Sequence, residues 1–306
     1  MLDKIQIAFC INDAYAQHMA VTIASILAHN PNEFFSFHVL HFDISAETEG
    51  KVKELQSQYP NNTIDFHKIE RSWCDGLSVS KCLSHVTTEA YLRFFIPTVL
   101  KSEQRAIYMD VDVICVGRLR PLWEYDLRST PIAAIPEYCD SIRRRNRLGL
   151  NPDGLYFCSG LLVMDLDAMR AEDAPQALVA IAKNKARSII YADQDPINMH
   201  FDGRITPLPS IWNCSDRWSL FRRDVRQWHF QCQTRKPWCN IWKNTTWPIY
   251  LKYLLKSPYR NNALRFVWGH IKGFFFFKYT KNCMTRYLIC GIRVWRRNHN
   301  NKCEAI

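Results

Sequence analysis

The 306-residue sequence has no long uninterrupted apolar run, which excludes a membrane-spanning helix. No stretch approaches the roughly 18 apolar residues of a membrane-spanning helix. Residues 1–9 also lack the basic stretch and apolar run of a secretory signal, so the sequence predicts a protein that stays in the cytoplasm. An apolar content of 47% is nevertheless sufficient for a folded core.

Paired cysteine motifs are absent as well, although the chain contains twelve cysteines. None of them belongs to a Cys-x-x-Cys pair, and the chain is far longer than the small secreted domains that disulfides hold together. We therefore expect reduced thiols, as is usual in the cytoplasm.

Acidic residues are almost missing from the last part of the chain. Residues 243–306 hold 13 Lys and Arg against one acid, Glu304, whereas residues 1–242 hold 27 basic and 28 acidic residues. The net charge of +11 is thus divided into −1 for the first part and +12 for this tail. A tail of this kind could neutralise the phosphates of a nucleic acid.

The aromatic residues of the tail favour a membrane surface over a nucleic acid. They alternate with Lys and Arg at Trp268, Phe274–Phe277, Tyr279, Tyr287 and Trp295. Apolar rings that enter the headgroup region, beside cations that meet anionic lipids, are typical of an interfacial segment. We expect this tail to be helical. The simpler alternative is a solvated basic tail with an aromatic core contact.

Strand-like and helix-like segments alternate along the first part. Strands are expected at 5–11, 34–42, 63–69 and 157–165, and a further strand from residue 105 is expected to end in the two carboxylates at 110 and 112. Helices are expected at 14–28, 46–58, 88–100 and 172–185. This order predicts a parallel sheet covered by helices, with ligands bound outside the carboxyl ends of its strands. The Arg-rich segment 143–147 is expected to be mobile.

Two carboxylates, Asp110 and Asp112, stand inside an otherwise apolar run. Residues i and i+2 of a regular strand share a face, so both side chains could reach one ion at a strand end. Buried acids without a partner are costly, which calls for a metal or a buried base. The sequence favours Mg²⁺ or Mn²⁺, whose remaining ligands are water and substrate phosphates.

Several blocks resemble the retaining glycosyltransferases of family 8, in particular the bacterial enzymes that add galactose or glucose to the lipopolysaccharide core. The resemblance covers residues 5–242 and rests on the order and spacing of the blocks. These are Asn12, Asp13 and Tyr15 after the first strand; Tyr91-Leu92-Arg93; residues 108–113 around Asp110; Leu122-Trp123 with Asp126; residues 157–160; Asp193-Gln194-Asp195; and His229 with Lys236-Pro237-Trp238. The resemblance implies a GT-A type fold, an α/β architecture with a Rossmann-like mixed sheet flanked by helices.

The resemblance also implies which residues bind the donor. A Mn²⁺ or Mg²⁺ ion bridging the UDP phosphates would be held by Asp110, Asp112 and His229. The donor itself would be contacted by Asn12, Asp13 and Tyr15 on the uridine side, by Arg93, Val111 and Ser159, and by Lys236 at the diphosphate, where positive charge stabilises departing UDP. Taken without the resemblance, His229 fits an aromatic surface, Arg93 a helix surface and Lys236 a solvated loop.

The expected catalytic set is Asp193, Gln194 and Lys236. By resemblance, Asp193 and Gln194 lie beside the donor sugar, although Asp193 is also placed to cap the following helix. In the family the leaving group departs from the face that the acceptor attacks. Orientation of the substrates and stabilisation of UDP would therefore carry catalysis, and a paired-carboxylate hydrolase mechanism is not expected.

The sequence departs from the family pattern at three places. Cys158-Ser159 replaces a more usual pair that begins with Asn, which puts a contact to the donor sugar in doubt. The loop 230–235 lacks the usual Gly-Pro after the histidine and is longer, and Asn12 stands where many relatives have Asp. These changes could mean a different sugar or lower activity.

The expected function is metal-dependent transfer of glucose or galactose, with UDP-glucose preferred, from a UDP-sugar to a lipid-linked lipopolysaccharide core oligosaccharide. The 1–242 domain would do this while the 243–306 tail holds it at the inner face of the bacterial inner membrane. Alternatives are transfer to another surface glycan, and a non-catalytic nucleotide-binding membrane protein. An α/β phosphatase also uses Asp-x-Asp, but near the N-terminus and with downstream partners that are not evident here.

Overall fold

A computed structural model describes residues 3–77, 79, 87–186, 188–214, 224–230, 236–238, 247–281, 284–289 and 292–298, with the backbone alone at residue 270 and from residue 272 onwards. The chain forms two compact units, Met1–His229 and Phe230–Ile306. The division of function at residue 242 stays a prediction. The six cysteines whose side chains the structure describes form no disulfide bond with one another; they are Cys10, Cys74, Cys115, Cys139, Cys158 and Cys214.

The first unit alternates strands with helices. Its strands are β1 Ile5–Cys10, β2 Phe35–His41, β3 Asn62–Lys68, β4 Arg105–Met109, β5 Val113–Cys115, β6 Ile132–Pro136, β7 Phe157–Asp165, β8 Ile205–Pro207 and β9 Gln227–His229. Its α-helices are α1 Ala16–His29, α2 Ala46–Gln58, α3 Ile96–Val99, α4 Arg120–Trp123, α5 Ser141–Leu148, α6 Leu166–Ala171, α7 Ala174–Asn184 and α8 Gln194–His200. Short 3-10 helices include Asp13–Tyr15, Thr88–Phe95 and Ser210–Trp212.

Seven of the strands form one mixed sheet, in the order β3-β2-β1-β4-β7-β6-β8. Strand β1 runs parallel to β2 and β4, and β6 runs parallel to β8, but β7 is antiparallel to both β4 and β6. The α/β mixed sheet flanked by helices is thus confirmed. The alternation of elements alone predicted a parallel sheet, because it does not encode which strands become neighbours.

Apolar side chains drive the helices onto this sheet. Helix α1 is buried along most of its length, as its apolar sequence predicts. Helix α2 is mostly polar and buries only Val52 and Leu55, and it begins where the Ser45 hydroxyl accepts a hydrogen bond from the backbone N–H of Thr48. Burying one such aliphatic side chain typically stabilises the fold by about 1.5–3 kcal/mol.

The strand directions bring the functional candidates to one edge of the sheet. Strands β1, β4 and β6 end at this edge, after Cys10, Met109 and Pro136, and the antiparallel β7 begins there at Phe157. Turns and helix starts that follow these ends can therefore meet, which is the arrangement expected for ligand binding in open sheets.

The Arg-rich segment expected to be mobile is instead part of helix α5. Arg147 forms an ion pair with the buried carboxylate of Asp195, at 2.9 Å, and Arg145 donates a hydrogen bond to the carbonyl oxygen of Leu155. The expectation was wrong because a run of arginines resembles a solvated segment until its buried acceptors are known.

The described residues of the second unit form two α-helices, a short 3-10 helix at Arg260–Asn262 and a small sheet. The helices are α9 Trp247–Leu254 and α10 Ala263–Phe275, and the antiparallel sheet has the order β10-β11-β12, with β10 Phe276–Lys281, β11 Met284–Ile289 and β12 Ile292–Asn298. The helices agree with the helical tail expected from the sequence, whereas the sheet was not foreseen. No helix in the described part of the chain has the length and hydrophobicity needed to cross a bilayer.

Candidate functional site

The turn after β4 carries the two acids singled out in the sequence. Strand β4 ends before Asp110 and β5 begins after Asp112, so the pair lies in a turn and not in the regular strand suggested by its spacing. The hydroxyl of Thr22 on α1 lies 2.9 Å from the carbonyl oxygen of Val111 and 2.7 Å from that of Val113. Helix α1 therefore holds the backbone of this turn in place.

His229 reaches the same turn from a distant part of the sequence. The antiparallel pairing of β9 with β5 sets His229 opposite Val113. Its Nε2 atom lies 3.3 Å from Oδ1 of Asp112 and 3.6 Å from Oδ2 of Asp110. The alternative of a ring resting in an aromatic surface is wrong, since the buried imidazole faces two carboxylates.

These neighbours control the protonation of the ring. Burial alone would lower the pKa of His229, but the carboxylates of Asp112 and Asp110 raise it to about 9. Burial is also outweighed at Asp110, where Arg93 and hydrogen bonds from His229 and Tyr108 hold the pKa well below its usual range. At neutral pH the ring is therefore a cation between two carboxylates, and it would have to release a proton before ligating a metal.

Arg93 is a second buried cation of the site. Its Nη2 atom lies 3.3 Å from Oδ1 of Asp110 and its Nη1 atom 2.8 Å from Oδ2 of Asp193. The guanidinium also stacks on the ring of Tyr108, 4.2 Å from the centroid, and donates a hydrogen bond to the carbonyl oxygen of Ser159. Arg93 thus joins the turn after β4 to the start of α8, and the alternative of a helix-surface charge is wrong.

Asp193 precedes helix α8, but its side chain does not cap that helix. The carboxylate accepts a hydrogen bond from the hydroxyl of Ser159, at 2.6 Å, and pairs with Arg93. Burial raises the pKa of Asp193 above its usual value, although the Arg93 guanidinium opposes this shift. The expected capping role is wrong because tertiary partners compete for the same oxygens.

Gln194 is held through the oxygen of its amide. Its Oε1 atom accepts a hydrogen bond from the backbone N–H of Ser159, at 3.0 Å. The hydroxyl of Tyr156 donates to Oδ1 of Asp195 on the same helix, at 2.6 Å. The start of α8 is thereby fixed against β7.

The three clustered side chains fit a divalent cation. One ligand atom from each of Asp110, Asp112 and His229 lies within 4.8 Å of the others. Carboxylates suit Mg²⁺ and Mn²⁺, and the imidazole shifts the preference towards Mn²⁺. The carboxylates of Asp110, Asp112 and Asp193 together carry three negative charges, and Arg93 balances one of them. Once the His229 ring is neutral, a divalent cation would balance the other two.

Gly160 leaves the space in which the cluster fits. A Cβ atom at this position would lie 2.4 Å from Cε1 of His229 and 2.6 Å from Oδ2 of Asp110. The backbone of Gly160 also accepts the hydrogen bond donated by the N–H of Asp110. Close approach of β7 to the carboxylates therefore requires glycine.

The candidates on the uridine side lie after β1. Among the described residues, the buried Oδ1 atom of Asn12 has no hydrogen-bond partner. Asp13 accepts a hydrogen bond from the backbone N–H of Ser45, and Tyr15 packs edge-on against His18. A buried oxygen without a hydrogen bond lowers the stability of the fold, so Oδ1 of Asn12 is a candidate to accept a hydrogen bond from a ligand.

Two other candidates have different surroundings. Cys158 is buried at the start of β7, where burial raises the pKa of its thiol, so it is a neutral group. Lys236 belongs to the second unit, in which its ammonium lies 5.9 Å from the ring centroid of Trp238. Residues 231–235, where the loop departs from the family pattern, lie outside the described part of the chain.

Sequence reasoning overlooked several supporting residues. Their side chains or backbone hold the candidates in place, and they are Thr22, Tyr108, Tyr156, Gly160, Asp195 and Asn213. Tyr108, Gly160 and Asp195 had a visible signal, since all three stand inside blocks already noted.

Comparison with known proteins shows which family and which individual proteins the chain is similar to. The model of the family described as "Glycosyl transferase family 8" matches residues 6–242. General stress protein A of Bacillus subtilis is 24% identical over 212 residues, which cover 68% of this chain and 72% of that protein. Glycosyltransferase GlyB of Streptococcus pneumoniae is 29% identical over 68% of this chain, but over 47% of its own length.

A third relative is the lipopolysaccharide 1,3-galactosyltransferase of Salmonella typhimurium, which is 25% identical over 64% of this chain and 59% of that protein. The chain thus spans about half to three quarters of these relatives. Among solved structures, galactosyltransferase LgtC with donor and acceptor sugar analogues has a TM-score of 0.75 at 21% identity, covering 83% of this chain and 96% of that one. This likeness supports the GT-A fold.

Proposed function

The chain belongs to glycosyltransferase family 8, and on this premise we propose that it transfers a hexose from a UDP-sugar in a metal-dependent reaction. The observation that carries the proposal is the cluster of Asp110, Asp112 and His229 at the carboxyl edge of the sheet. Such a cation commonly binds the phosphates of a substrate, and a cation with two or three protein ligands keeps positions for phosphate oxygens.

The metal would be held by the two carboxylates and by Nε2 of His229. When bound, it would supply positive charge to the diphosphate and so stabilise UDP as a leaving group. Asn12, Asp13 and Tyr15 would bind the uridine side, with Asn12 offering an unsatisfied buried oxygen. Lys236 would add its charge to the diphosphate.

On the sugar side, fixed side chains would orient the donor. Asp193 is held by Arg93 and Ser159, and Gln194 is held by the backbone N–H of Ser159. Because that N–H already engages Oε1 of Gln194, the oxygen that would attack, the contribution of Gln194 is best explained as orientation and not as nucleophilic attack. We propose that the donor's anomeric configuration is retained, with the acceptor attacking from the face that UDP leaves.

We propose a lipopolysaccharide core oligosaccharide as the acceptor and glucose ahead of galactose as the sugar. The name of the Salmonella typhimurium relative supports the acceptor class. By the resemblance, Cys158 stands where the family usually has Asn, and its neutral thiol would alter one sugar contact. Transfer to a different surface glycan is the alternative that this substitution leaves open.

We also propose that the tail holds the enzyme at an anionic membrane surface. Helix α10 exposes Leu264, Trp268 and Ile271, by 84%, 66% and 42%, at spacings of four and three residues. Side chains spaced in this way share one face of a helix. An apolar stripe within a segment that carries one acid and 13 basic residues suits insertion into anionic headgroups.

Product analysis tests the catalytic proposal. The purified protein is incubated with Mn²⁺, labelled UDP-glucose or UDP-galactose, and truncated core oligosaccharide, and NMR identifies the sugar and the configuration of the new bond. We expect one labelled sugar to be transferred with retention. Tight UDP binding without any transfer to core or other surface oligosaccharides would support the non-catalytic alternative instead.

A further inference from the structure

Asn213 holds the imidazole of His229 from the side opposite the carboxylates. The Nδ1 atom of His229 lies 2.9 Å from Oδ1 of Asn213, whereas Nε2 faces Asp112 and Asp110. The amide oxygen can only accept, so Nδ1 must carry the proton. That arrangement leaves the lone pair of Nε2 for a cation once the ring is neutral.

The backbone fixes Asn213 beside the ring. The 3-10 helix Ser210–Trp212 ends with the N–H of Asn213 donating to the carbonyl of Ser210. The next residue, Cys214, then joins β9: its N–H donates to the carbonyl of Gln227, and its carbonyl accepts from the N–H of His229. The ring and its acceptor therefore lie on two hydrogen-bonded segments whose separation cannot vary freely.

The residue type also fits this position. A carboxylate at 213 would hold the same proton, but it would add a further negative charge next to Asp110 and Asp112. An amide accepts the Nδ1–H bond without changing the charge that a cation has to balance. Groups that hydrogen-bond the remote nitrogen of a ligating histidine are known to set its tautomer and orientation.

We propose that Asn213 is a positioning residue that fixes the tautomer of His229 and so presents Nε2 to the divalent cation. Binding of a cation at this site rests on the proposed function, whereas the tautomer and orientation of the ring do not. The effect of Asn213 on the cation would pass through the ring, to which its amide oxygen is hydrogen-bonded.

Mn²⁺ titration followed by electron paramagnetic resonance tests whether Asn213 supports cation binding by His229. We expect Asn213→Leu to weaken Mn²⁺ binding by about 10–100-fold, the usual effect of losing such a partner. Asn213→Asp, which keeps the acceptor, should restore most of the affinity. The matched control is Asn62→Leu, which removes a buried amide on β3 that donates to the carbonyl of Tyr59.

Nitrogen-15 NMR of histidine-labelled, metal-free protein tests the tautomer of His229 and needs no variant. At pH 10 we expect the His229 proton on Nδ1; a proton on Nε2 would overturn the proposal. Wild-type Mn²⁺ affinity in a folded Asn213→Leu protein would overturn it as well. Failure of the wild type to bind Mn²⁺ would instead count against the proposed function, and the tautomer would still decide the role of Asn213.

Discussion

Arg93 and Asp193 form a buried ion pair in which Nη1 of the guanidinium lies 2.8 Å from Oδ2 of the carboxylate. The same guanidinium lies 3.3 Å from Asp110, so one cation serves two acids on separate elements. Loss of one partner of a buried pair leaves an uncompensated charge, which is far more costly than loss of a surface pair. Arg93 therefore links the integrity of the candidate metal site to the stability of the fold.

Replacing Arg93 tests this link. We expect Arg93→Met to lower the free energy of unfolding by about 3–5 kcal/mol, measured by urea denaturation of metal-free protein. The matched control is Arg71→Met, which removes an exposed pair with Asp43 and should have little measurable effect. Equal losses in the two variants would mean that Asp110 and Asp193 do not depend on Arg93.

The space at Gly160 provides a second test. Gly160→Ala would place a methyl group against His229 and Asp110, so we expect a folded protein that loses Mn²⁺ binding in a calorimetric titration. Gly50→Ala is the control, since a Cβ there meets nothing within 4 Å and alanine favours a helix by about 0.5–1 kcal/mol. Unchanged Mn²⁺ affinity in Gly160→Ala would contradict the close packing of β7 against the cluster.

Acid stability should depend on His38. Its ring lies 2.9 Å from Oε1 of Gln6 and 3.1 Å from His67, with Asp65 also nearby. Burial, assisted by His67, lowers the pKa of His38 to about 4. Unfolded histidine titrates near pH 6.5, so between these values the unfolded chain binds more protons and stability falls as the pH falls.

The expected loss from this histidine is roughly 3 kcal/mol between pH 6.5 and 4. Urea denaturation over this range measures it. A His38→Gln variant should have a lower stability at pH 7 but a shallower decline on acidification. Parallel pH profiles for the two proteins would show that His38 is not the group responsible.

The apolar stripe on α10 should decide membrane binding. Replacing Leu264 and Trp268 by Ser should weaken co-sedimentation with phosphatidylglycerol-containing vesicles by at least about tenfold, since burial of each side chain is worth more than 1 kcal/mol. Phe34→Ser removes an exposed aromatic residue of the first unit and should leave binding unchanged. Equal vesicle binding by all three proteins would exclude this stripe as the contact surface.

Local sequence patterns predicted much of the first unit. Helix α2 has the bounds that its polar-apolar pattern indicates, Ala46–Gln58, because its Ser45 cap and its apolar positions are local features. Asp110 and Asp112 were recognisable since charge is unexpected in an apolar run. The antiparallel direction of β7 was not predictable, as neighbouring strands are chosen by long-range packing.

The partners of the site residues were also beyond the sequence. Nothing near Asn213 indicates that it faces His229, and nothing near Arg93 indicates that it lies between two carboxylates. Such contacts join segments far apart in the chain, and only the folded backbone defines them. Arg147 and Asp195 give a third example, in which a helix was mistaken for a mobile segment because its acceptor was unknown.

Metal-dependent transfer is tested by the rate of UDP release from a UDP-hexose, with core oligosaccharide as the acceptor, in the presence and absence of Mn²⁺. We expect turnover with wild type that requires Mn²⁺ and falls by at least about 100-fold in Asp112→Asn, since electrostatic stabilisation of a leaving group is commonly worth that much. An Asp65→Asn variant should keep the wild-type rate. Metal-independent turnover, or undiminished turnover in Asp112→Asn, would contradict the claim.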